Sequence, residues 1–159
     1  MDAIRNKSEA STAADRGIVI SRTINAPRAL VFKAWTDPAL VDHWFGPNGF
    51  TNKTLSMDVR TGGQWKFTMT SAEGRVFENL VTYTEVSPVD RLAYDHGDWQ
   101  NPKQFEATIT FEEDEGGTLV TLRTLFPNKE ARDFAVNVIG AIEGGRQTLA
   151  RLDDYLSTP

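Results

Sequence analysis

The chain has 159 residues, 40% of them hydrophobic and 25% charged, proportions that suit a soluble domain able to bury a core. Its formal net charge is −5 and its Lys and Arg residues are spread along the chain, which argues against a nucleic-acid or anionic-membrane partner, since both want a clustered basic face. It contains no cysteine, which excludes disulfides, thiolate metal sites and a cysteine nucleophile.

Residues 1–15, MDAIRNKSEASTAAD, hold no apolar run of signal-peptide length, and no later segment approaches a membrane span. They are expected to be a flexible polar tail leading into one domain over residues 16–158, in a cytoplasmic protein. In GIVISRTINAP, Ile18, Ile20 and Ile24 share one face of a first strand, with Arg22 on the same face, and Pro27 suits the first turn of a helix. RALVFKAWTDPALVDHWFGP predicts two short helices divided at Asp37-Pro38, where Asp caps and Pro starts the second. Gly46-Pro47 stops them.

From about residue 50 the apolar period becomes two. Leu55, Met57 and Val59 alternate with polar residues, as do Trp65, Phe67 and Met69, and Thr61-Gly62-Gly63 between them signals a hairpin. RVFENLVTYTEV is apolar on both parities, which predicts a bulge or a strand covered on both faces. Leu92, Tyr94 and His96 share a face of the next strand, followed by Phe105, Ala107, Ile109 and Phe111, and then by Val120 and Leu122. The connections among these six strands are too short for parallel crossovers, so the sheet is expected to be antiparallel.

Over residues 129–157 helical spacing returns through Phe134, Val138, Ile142, Gly145, Leu149, Leu152 and Leu156. It predicts one long helix, which at about 1.5 Å per residue would extend roughly 40 Å across the sheet. Gly140, Gly144 and Gly145 interrupt it, although each glycine in a helix interior costs about 0.5–1 kcal/mol relative to alanine. Close packing against the sheet and room for a pocket both account for Gly144 and Gly145.

Strand, two short helices, six strands and a long C-terminal helix together resemble the helix-grip fold of the START-like superfamily, also called SRPBCC. The segments INAPRALVFKAWTDPALVDHWFGP, GGQWKF, VSPVDRLAYDHG and AIEGGRQTLARLDDYL are similar to the family of homologues of the activator of ninety-kilodalton heat-shock-protein ATPase, over residues 17–156. The resemblance implies an α+β fold: a curved antiparallel sheet of about seven strands with the last helix across its concave face and, commonly, a cavity between them.

The aromatic residues are the strongest candidate set for such a cavity. Trp35, Trp44, Trp65, Phe67, Phe77, Tyr83, Tyr94, Trp99, Phe105 and Phe111 are expected on or near the interior, joined from the last helix by Phe134, Val138, Ile142 and Gly145. Trp44 and Phe45 would sit at its entrance. His96, on the inward face of its strand, is a candidate polar anchor, or else a strand-end histidine bonded to the loop GDWQNP. Arg22 is another, either holding an acidic head group, pairing with a carboxylate such as Glu78 or Glu106, or snorkelling from an edge strand. Glu143 and Arg146 read as an exposed intrahelical pair, with Arg146 flanking the inward stripe, and His43 beside Asp42 as a solvated residue. No metal site is expected from two separated histidines, and no cofactor.

These residues predict a ligand-binding protein for a small hydrophobic or amphipathic molecule. The superfamily resemblance also implies a cyclase-like or hydratase-like enzyme acting on an aromatic or polyketide-type substrate, which would draw on His96, Tyr94 and Tyr83 for proton transfer. The family resemblance implies a stress-related chaperone partner, but the eukaryotic activator carries an N-terminal domain that fifteen polar residues do not replace. A monomer or a homodimer is expected.

Overall fold

Among the described residues, alternating sequence and turn chemistry produce seven strands: β1 (Gly17–Ile24), β2 (Thr51–Met57), β3 (Gln64–Thr70), β4 (Val76–Ser87), β5 (Arg91–Gly97), β6 (Phe105–Asp114) and β7 (Gly117–Leu125). In the computed structural model, which describes residues 15–157, they form one curved antiparallel sheet in the order β1-β7-β6-β5-β4-β3-β2. The expected tail, but for Asp15, lies outside the described residues. The register of β4 against β5 shifts between Tyr83 and Glu85, so the bulge expected from its mixed parity is present. Leu80 is buried as well, although it faces away from its neighbour Val81.

Between β1 and β2 lie α1 (Arg28–Thr36) and α2 (Pro38–Val41). Asp37 caps α2 by accepting the Ala39 N–H at 2.9 Å, and Pro38 occupies its first turn. The two helices cover one half of the concave face with an aromatic core. Trp35 meets Trp44 edge-on at 4.8 Å, Phe45 meets Trp65 at 5.0 Å, and Trp65 stacks on Phe67 at 3.9 Å. Their polar edges are accommodated too: Trp44 Nε1 donates to the Ala34 carbonyl at 3.1 Å and Trp65 Nε1 to Thr54 Oγ1 at 3.0 Å.

The single long helix expected after β7 is two helices meeting at a corner. The first, α3 (Lys129–Phe134), is capped by Asn128, whose Oδ1 accepts the Ala131 N–H at 2.8 Å. It widens into a π-helical turn at Ala135–Ile139 and ends at Gly140, where φ is 79°. That left-handed backbone favours glycine and breaks the helical path, so Gly140 serves the corner. The second helix, α4 (Ala141–Ser157), then runs over β1. A Cβ at Gly145 would meet the terminal Cδ1 methyl of Ile20 too closely, so this glycine makes room for that side chain where helix and strand pack. A Cβ at Gly144 would lie 3.8 Å from Pro47, an ordinary contact, so this glycine is under no such constraint.

Polar bonds fix the position of α4. Arg22 pairs with Asp153 at 3.1 Å, and Asp153 also accepts the Asn25 N–H at 3.0 Å. Neither Glu78 nor Glu106 is the partner of Arg22, because α4 brings a closer carboxylate over the strand. Arg151 Nη1 donates to the carbonyls of Gly46 and Pro47, both at 2.8 Å, tying the helix to the loop after α2. His43, expected to be merely solvated, lies flat against Tyr155 of α4 with ring centroids 5.4 Å apart.

Candidate functional site

The other half of the concave face is covered differently. Here β1, β7, β6 and β5 present Ile18, Ile20, Leu122, Thr124, Ala107, Tyr94 and His96, while the helical cover presents Ala131, Ala135, Ala141 and Gly145. Small side chains above a curved sheet leave a pocket of about 570 Å³. Its remaining walls include Trp35 and Phe45 from the packed half, Phe105 and Phe126, Thr148 of α4, and Phe134 and Ile139 at the corner.

Its polar groups are few and neutral. His96 Nε2 lies 2.9 Å from Asn79 Oδ1, and the amide of Asn79 is oriented by donating to the Phe77 carbonyl at 3.2 Å. The imidazole therefore donates through Nε2, leaving Nδ1 as its acceptor. Burial among Phe67, Tyr94 and Phe105 lowers its pKa to about 4, so the ring is neutral at pH 7. Burial raises the pKa of Tyr94 well above the ordinary phenol value, and the Trp35 indole beside it offsets a little of that rise. Tyr83 is raised for the same reason, with a further contribution from Tyr94. Trp35 Nε1 and the Tyr83 hydroxyl are buried without a hydrogen bond of good geometry among the described residues. A protonated phenol is a donor, so Tyr94 can orient an acceptor in the pocket, and both tyrosines are poorly suited to abstract a proton.

The sequence-derived candidates divide into four groups. Trp35, Tyr94, His96, Phe105, Phe134 and Gly145 come together around the pocket. Trp44, Trp65, Phe67, Tyr83 and Phe111 are buried in the core without lining it. Phe77 and Trp99 are on the surface, each 37% exposed. Arg75 covers the Phe77 ring at 4.8 Å, whereas Trp99 carries Lys66 over its ring and donates to the Asn79 carbonyl at 3.2 Å. Val138 is 67% exposed, because the π turn and the Gly140 corner rotate it off the inward stripe. Ile142 faces a separate basin outside β1, and Arg22, engaged by Asp153, is absent from the pocket wall.

The residues missed by the aromatic criterion include Phe126, the aliphatic Ile18, Ile20, Leu122 and Ile139, and several small ones. Ala107, Ala131, Ala135 and Ala141 shape the pocket by what they lack, and alanine at helical or strand spacing is indistinguishable in sequence from ordinary core filling. Among the described residues, no cluster of three or more His, Asp or Glu side chains could hold a metal ion, and no helix is long and apolar enough to cross a membrane.

The model of the family described as Activator of Hsp90 ATPase homolog 1-like protein matches residues 25–157. No curated protein matches the chain. Among solved structures, a protein from Nitrosomonas europaea is 25% identical, with a TM-score of 0.82 over 91% of this chain and 96% of that one. A protein from Arthrobacter aurescens is 24% identical, with a TM-score of 0.84 over 92% of this chain and 89% of that one. An AHSA1-like protein from Aeromonas hydrophila is 22% identical, with a TM-score of 0.70 over 89% and 92% of the two chains.

Proposed function

Because this chain belongs to the Activator of Hsp90 ATPase homolog 1-like family, built on a fold widely used to hold ligands under its last helix, we propose that it binds a small, largely apolar molecule there. The carrying observation is the pocket of about 570 Å³, whose volume falls in the range of small-molecule sites and whose wall combines aromatic and aliphatic side chains with a few neutral polar groups. Tyr94 would donate to an acceptor on the ligand, and His96 Nδ1 would accept from a donor. Binding is favoured over the cyclase-like or hydratase-like alternative by the titration behaviour of the same residues. An imidazole with a pKa of about 4 is a weak base, and phenols raised by burial stay protonated.

Native mass spectrometry of the protein purified from its own cells tests this reading, followed by Ala141→Phe, which places a ring in the pocket without the collision that Gly145→Leu makes with Ile20. A retained small molecule lost in Ala141→Phe, with the circular dichroism spectrum unchanged, is the expected result. A mass equal to that of the bare chain, together with no thermal stabilisation by any of a panel of neutral aromatic and aliphatic compounds, would overturn it.

A further inference from the structure

The sheet also bears a second concavity, back to back with the first. Ile18 and Thr124 line both, but the strand neighbours Val19 and Arg123 point to the opposite face and, with Leu125, floor a basin of about 640 Å³ outside β1. Ile142 and Arg146 of α4 and Arg132 of α3 reach this basin as well. Its floor is unusually apolar for a surface: Val19 is 66% exposed on an edge strand, beside Leu125 and Ile142.

Three guanidinium groups surround that floor in a chain whose net charge is −5. Among the described residues, Arg123 meets only the Thr110 hydroxyl, at 3.4 Å. Arg146 pairs loosely with Glu143, at 3.8 Å, and both side chains are 66% exposed. Arg132 donates to the Gly17 carbonyl at 3.2 Å and lies 3.6 Å from Asp133, a carboxylate that Lys129 already holds at 2.7 Å. Among the described residues the one acid lining the basin, Glu106, is paired with Lys103 at 3.3 Å. Among the described residues, positive charge here is thus weakly compensated, and it rims apolar surface.

We infer that this basin is a binding site for a small amphipathic anion, its apolar body on Val19, Leu125 and Ile142 and its carboxylate or phosphate head on Arg123, Arg132 and Arg146. Guanidinium forks suit such oxyanions, and the apolar floor excludes a bare inorganic ion as the best occupant. The site is separate from the inner pocket and does not depend on its being occupied.

Titration of the full chain with octanoate, octyl phosphate and neutral octanamide, followed by amide and arginine Nε chemical shifts, tests the assignment. Octanoate or octyl phosphate should shift Gly17–Val19 and Arg123–Leu125 saturably, and octanamide should bind about tenfold more weakly or less. The Arg123→Gln/Arg146→Gln variant should lose at least about tenfold in anion affinity, while Ala141→Phe should leave it unchanged. Raising the salt concentration should weaken the anions alone. Equal binding of octanamide, shifts confined to Tyr94, His96 and Phe105, or no saturable shift with either anion would each overturn the inference, and inorganic phosphate matching octyl phosphate would reduce the basin to a nonspecific ion contact and overturn it too. Loss of anion binding in Ala141→Phe would place the anion in the inner pocket and likewise refute a separate basin.

Discussion

The two halves of the concave face are made from the same sheet and differ in what covers them. Under α1 and α2, Trp35, Trp44, Trp65 and Phe67 interlock at 1% exposure or less, and their ring contacts fill the space from sheet to helix. Under α3, the π turn and α4, the cover offers Ala131, Ala135, Ala141 and Gly145, and a pocket remains. Curvature alone therefore does not make the pocket. Side-chain volume on the covering helices does, and interiors packed to crystal density make each ring or methyl group count.

The largest effect separating the halves is expected from Trp65→Ala. It removes a fully buried ring stacked on Phe67 and should cost about 3–5 kcal/mol, read as a lowered urea midpoint with an unchanged slope. A loss below about 1 kcal/mol would mean that the supposedly packed half can collapse as easily as the other.

Next in size is an acid dependence belonging to the pocket half. The folded pKa of His96, about 4, lies below its ordinary value of 6.5, so between those values the unfolded chain binds more protons than the folded one. Stability should therefore fall as pH drops from 6.5 towards 4, by on the order of 2–3 kcal/mol from this residue. His96→Gln should flatten that part of the curve relative to the parent, and a parallel curve in the variant would show that the imidazole is not the group being protonated.

The smallest and most direct comparison inserts the same side chain on each side. Ala34 of α1 is fully buried in the packed half, so Ala34→Leu should cost about 1–3 kcal/mol through overpacking. Ala135 borders the pocket, so Ala135→Leu should cost less than about 1 kcal/mol, because its added atoms enter open space. Equal thermal midpoints for the two variants would erase the distinction between the halves.

Much of this architecture was legible in the chain. The change from period two to helical spacing, the Asp37-Pro38 break and the short strand connections specify the order of elements and the antiparallel pairing, because backbone periodicity and turn chemistry are local. The corner at Gly140 was less legible: the apolar stripe continues through it, and only the φ of 79° shows that the glycine interrupts the helix. Phe77 and Trp99 were misplaced for a related reason, since an aromatic near a strand end has the same sequence signature whether a helix lies over it or solvent does.

By itself, then, the sequence determined the helix-grip order and the aromatic wealth of the interior. The tertiary structure alone decided that Arg22 faces Asp153, that His96 meets Asn79 and is held neutral by burial, and that Arg123, Arg132 and Arg146 converge outside β1. Each of those outcomes joins residues distant in the chain. Local propensity does not encode which of many carboxylates, rings or cations will be brought within a few ångströms; the docking angle of α4 on the sheet does.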